Sequence, residues 1–101
     1  MAMDTEDSDL YPTSGVRLRF VCGEVTEGGV SATYTASLFT ASECFEYAAV
    51  LSSDGECTLE ATGPAAAPAL ERKLRTLATI IARQDGWPRR VLRWRATPVA
   101  K

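Results

Sequence analysis

The chain contains no histidine. That removes Ser-His-Asp and Cys-His nucleophile activation, and with them the commonest ligand for zinc, copper or iron. It has three cysteines, Cys22, Cys44 and Cys57, none in a CxxC pair. An odd count without such a pair fits reduced thiols better than a disulfide framework. No apolar run approaches the ~20 residues that cross a bilayer. Lysine is nearly absent: nine arginines stand against two lysines. With abundant alanine, this is the coding bias of a GC-rich bacterial or phage genome. No glycine-rich phosphate loop is present, because Gly28-Gly29 has the setting of a hairpin turn without a following helix.

What is present fits one domain. A chain of 101 residues is long enough to bury a core without metals or disulfides. Its 46 % hydrophobic and 24 % charged residues are ordinary for a globular protein. The beginning, MAMDTEDSDLYPTSG, carries four acids in its first nine positions. Signal peptides are basic and then apolar, so the expectation is a cytoplasmic protein with no membrane segment. Residues 1–13 read as a flexible acidic tail, since they lack the apolar periodicity needed to offset ordering entropy. Residues 14–101 read as the folded unit.

Four segments alternate with period two, the mark of half-buried antiparallel strands. They are Val16–Val25, Val30–Phe39, Cys44–Leu51 and Glu56–Thr62. Their inward sets include Leu18, Phe20 and Cys22; Val30, Ala32, Tyr34, Ala36 and Leu38; Phe45, Tyr47, Ala49 and Leu51; Cys57, Leu59 and Ala61. A loop Glu27-Gly28-Gly29 pairs Thr26 with Val30, Cys22 with Tyr34 and Phe20 with Ala36. A loop Ser53-Asp54-Gly55 pairs Ser52 with Glu56 and Ala49 with Leu59. Both loops end in glycine, as a type I turn plus bulge requires. Thr40–Glu43 supplies the even loop that the middle connection needs. All three loops therefore agree with one meander.

A helix follows, with Pro68 in its first turn and Gly86 as its stop. Leu70, Leu74, Leu77, Ala78 and Ile81 form its apolar stripe. A last strand, Arg89–Ala96, alternates Leu92, Trp94 and Ala96, read as inward, against Arg93 and Arg95. Trp87, between helix and strand, reads as a plug for one end of the core.

The expected architecture is thus α+β. A five-stranded, mainly antiparallel sheet (β-β-β-β-α-β) carries one helix on one face, with strand order 4-3-2-1-5 favoured. In that order Arg17, Arg19, Arg93 and Arg95 would gather on the open face as an anion-binding or partner-binding cluster. If the last strand lay beside the fourth instead, Arg93 and Arg95 would face Glu56 and Glu60 in cross-strand pairs. Charge is split along the chain: residues 1–60 hold eleven acids and two arginines, residues 61–101 nine basic residues and two acids. The open face also carries Val21, Phe39, Ala48 and Val50, a mildly apolar surface of the kind that docks a partner.

These features point to a non-enzymatic protein–protein interaction module, an adaptor, inhibitor or chaperone-like protein. It would have no cofactor and no metal, and its partner would be another protein or a second copy of itself. Nucleic-acid or phosphate binding through the arginines is the alternative. It is weakened by the shortage of exposed aromatics and by the overall charge of −2.

Overall fold

The structure, a computed structural model, describes residues 15–84 and 86–95. The expected acidic tail and Ala96 lie outside the described residues. Strands β1 (Val16–Val25), β2 (Ser31–Phe39), β3 (Cys44–Ser52) and β4 (Cys57–Ala61) form the meander. Helix α1 (Pro68–Ala82) and strand β5 (Arg90–Arg95) complete the fold. The sheet order is β4-β3-β2-β1-β5, and every pairing is antiparallel. This is the α+β arrangement expected from the alternation, with β5 beside β1.

One face of the sheet packs on α1, which lies over β2, β3 and β4. Leu18, Phe20, Ala36, Leu38, Leu51, Leu74 and Ala78 are wholly buried between them. Tyr34 closes one end of this core. Its ring meets Phe20 edge-on at 6.1 Å, and its hydroxyl donates to the Pro88 carbonyl at 2.6 Å. Trp87 tilts against the same ring at 6.4 Å, while its Nε1 donates to the Gly29 carbonyl at 3.0 Å. Trp87 is therefore the plug that its position suggested.

The expected registers hold for Cys22 with Tyr34, Phe20 with Ala36 and Ala49 with Leu59. The first hairpin reaches its register by a different route. A bulge at Gly23 shifts the pairing, so that Glu24 faces Thr33 and Val25 faces Ala32. The Glu24 N–H donates to Thr33 Oγ1, and the Thr26 N–H to the Ser31 carbonyl. Thr26 thus meets Ser31 rather than Val30. Val30 leaves the strand and is 61 % exposed. The extra loop residue and the bulge cancel, which is why the core pairs further along are those expected. Glycine within a strand is the sequence signal for such a bulge.

The last strand differs more. Val91 pairs with Phe20 and is buried; Arg93 pairs with Leu18 and Arg95 with Val16. Directly paired residues share a face, so Arg93 and Arg95 lie on the side that α1 occupies. Leu92 and Trp94 lie on the opposite face, 37 % and 47 % exposed. The inward and outward sets of this strand are the reverse of those its hydrophobicity suggests. The cause is position: β5 is the sheet edge beside β1, away from the strands α1 covers, so burial does not select its phase. The connection does, because the Cys22 N–H donates to the Arg89 carbonyl while Tyr34 holds Pro88.

Candidate interaction face

No described element covers the face of the sheet opposite α1. Alternation along β1 sends Arg17, Arg19 and Val21 to it. Their partners on β2 are Phe39, Ser37 and Thr35, and next on β3 come Cys44, Glu46 and Ala48. Val50 of β3 faces Thr33 on one side and Thr58 of β4 on the other. From β5 come Trp94 opposite Arg17, Leu92 opposite Arg19 and Arg90 opposite Val21.

The expected four-arginine cluster does not form. Arg17 and Arg19 are on this face, but Arg93 and Arg95 are on the other, for the phase reason given above. Arg90, exposed and opposite Val21, takes the basic position on β5 instead. Val21, Ala48 and Val50 are exposed on this face as expected. Phe39 is not: it has the right register but is only 4 % exposed. The Arg19 guanidinium lies 5.3 Å from the centre of its ring. Aromatic faces attract cations in this geometry, and the stem of the arginine covers apolar surface. Arg19 Nη2 also reaches Ser37 Oγ at 3.5 Å, and Ser37 is wholly buried beneath it. The Nε of Arg19 is buried without a hydrogen-bond partner. Arg19 is thus partly a lid on the sheet as well as a surface charge.

Two residues of this face, Leu92 and Trp94, belong to the inward set by hydrophobicity alone. Room for the Trp94 ring comes from Gly15, whose φ of +71° already favours glycine. A Cβ there would sit 2.5 Å from the Arg95 carbonyl oxygen and 2.7 Å from the indole. The pairing of a glycine before the first strand with a tryptophan in the last was the available signal, but it is read only once β5 is known to lie beside β1.

Charge is ordered across the face. Glu24 of β1, opposite Thr33, lies toward the hairpin end of the face; elsewhere Glu46 and Glu60 stand on β3 and β4, and Arg17, Arg19 and Arg90 on β1 and β5. The serine and threonines of β2 separate them.

Cys44 is exposed at the β3 end of this face. Desolvation and the neighbouring Glu46 push its thiol above the ordinary range, and Arg19 only partly opposes them. A thiol held protonated is a poor nucleophile. Cys22 and Cys57 are free and half-buried, the latter against Thr79 of α1. Among the described residues, no group of three or more cysteine or carboxylate side chains is placed to hold a metal, and no helix is long and apolar enough to cross a membrane. Compared with protein-family models, curated proteins and solved structures, the chain matches none.

Proposed function

We propose that this chain is a small non-enzymatic protein–protein interaction module of the cytoplasm, working through the uncovered face of its sheet. One observation carries the reading. Of the seven large hydrophobic side chains exposed among the described residues, four lie on that face: Val21, Val50, Leu92 and Trp94. Apolar side chains gathered on one sheet surface and rimmed by charge mark a contact site better than apolar residues scattered singly. An adaptor, an inhibitor and a chaperone-like protein all use such a surface.

The anion-binding alternative has less support. Only two of its four arginines share the face, and Glu46 stands in the same line as Arg19. Steeply salt-dependent binding of single-stranded oligonucleotides would favour it.

The test is co-purification of partners from the native host with the tagged full chain, identified by mass spectrometry. Val50→Glu places a charge on the face and is expected to lower partner recovery about tenfold or more. Ile80→Glu, on the exposed side of α1, is expected to leave recovery unchanged. Recovery that survives Val50→Glu contradicts the reading.

A further inference from the structure

We propose that the occupant of this face is a second copy of the chain, docked face to face about a two-fold axis parallel to β2. The proposal rests on the open-face reading above and adds the partner and its orientation. Cross-strand partners set five exposed residues in one line across the sheet: Glu60, Ala48, Thr35, Val21 and Arg90, from β4 to β5. Read from either end, the line has the same order of sizes with the charge reversed. It runs acid, small apolar, threonine, small apolar, base. In the next line Glu46, Ser37 and Arg19 again run acid, hydroxyl, base from β3 to β1, with Leu92 beyond them on β5. Both lines are centred on β2.

A two-fold interface brings one patch against itself, so the patch must be self-complementary. Two such axes keep the strands of the facing sheets aligned. An axis parallel to β2 lays β1 of one copy over β3 of the other, and β5 over β4. Arg90 then meets Glu60 of the second copy, Arg19 meets Glu46, Val21 meets Ala48, and Thr35 meets its own counterpart. An axis perpendicular to the strands lays every strand over itself. Run along the five-residue line, it sets Arg90 against Arg90 and Glu60 against Glu60 of the second copy. Like charges brought together at an interface are strongly unfavourable, so these two lines favour the first axis over the second. Aligned sheets pack about 10 Å apart with a modest angular offset, which long arginine and glutamate side chains span.

Arg90 and Glu60 provide the test, because they are exposed and four strand spacings apart within one chain, roughly 19 Å. They cannot pair intramolecularly. Full-length wild type, Arg90→Glu and Glu60→Arg are compared by sedimentation equilibrium up to ~1 mM protein, with circular dichroism to confirm that each is folded. Wild type is expected to dimerise, less so at high salt. Each single reversal is expected to weaken self-association by about tenfold or more. An equimolar mixture of the two reversed chains restores dimerisation, since both cross-copy pairs then regain opposite charges. Wild type that stays monomeric overturns the proposal and leaves the face to another protein or to the chain's own acidic residues 1–13. If partner recovery is still lost with Val50→Glu in that case, the open-face reading stands without the second copy; if it is not, both fall. Dimers that ignore the reversals, or reversed chains that fail to rescue each other, overturn the proposed axis. If either reversed chain is unfolded, wild type carrying both reversals takes its place and is expected to dimerise as the unmodified chain does.

Discussion

Phe20→Ala is expected to cost about 3–5 kcal/mol, a large share of the ~5–15 kcal/mol that holds a domain of this size together. Phe20 is wholly buried, pairs with Ala36 on one side and Val91 on the other, and meets Tyr34 edge-on. Removing the ring loses its transfer free energy and leaves a cavity in the close-packed core on the helix side of the sheet. The adjacent residue supplies the control. Val21 points to the opposite face and is 39 % exposed, so Val21→Ala should cost under ~1 kcal/mol. Urea unfolding of both variants checks the pair. Comparable losses would mean that β1 does not have the phase described, and the candidate face would lose its first strand.

The second large effect involves one hydroxyl. Tyr47 is 1 % exposed; its hydroxyl donates to Glu71 Oε2 at 2.9 Å and accepts from the Ala66 N–H at 2.8 Å. These two bonds tie β3 to the segment before α1 and to its first turn. The N-terminus of α1 has no side-chain cap of its own, so Tyr47 acts as an indirect anchor. Tyr47→Phe keeps the ring but leaves the buried Ala66 N–H unsatisfied and Glu71 without its donor, at about 2–4 kcal/mol. A loss below ~0.5 kcal/mol would show that water replaces the hydroxyl, and that the helix start is not held from the sheet. Alkaline pH gives an independent reading. Desolvation and the bond to Glu71 raise the Tyr47 hydroxyl above its ordinary value, outweighing the Ala66 N–H, and burial raises Tyr34 as well. Above pH ~10 the unfolded tyrosines lose protons that the folded ones keep, so stability falls as pH rises. Tyr47→Phe removes part of that fall.

The meander was legible because each of its strands offers a clear choice between an apolar and a polar set. The loops then test that choice: a one-residue slip would expose Leu18, Phe20, Tyr34 and Leu38 together. The bulge at Gly23 escaped because it and the longer loop offset each other. The last strand was not legible by the same rule. Leu92 and Trp94 look like the inward set, but at the edge of the sheet, away from α1, hydrophobicity does not fix which way a strand faces. Backbone bonds from Cys22 and the Tyr34 hydroxyl fix it instead, through contacts between residues more than fifty positions apart. The same phase takes Arg93 and Arg95 away from Arg17 and Arg19 and brings Leu92 and Trp94 onto the face. The charge split was visible from the start, but its meaning depended on sheet order. With β5 beside β1, Arg17, Arg19 and Arg90 collect on one side of β2 and Glu46 and Glu60 on the other, with Glu24 the exception on β1.

The most direct test of the self-complementary face is an isotope-filtered NOE at ~1 mM in a mixture of labelled and unlabelled chains. Val21 and Ala48 stand two strand spacings apart within a chain, about 10 Å, too far for a methyl–methyl contact. Across the proposed two-fold they meet. An intermolecular cross-peak between the Val21 and Ala48 methyls is expected. A cross-peak from Val21 to its own counterpart, or no intermolecular cross-peak on this face at that concentration, would contradict it.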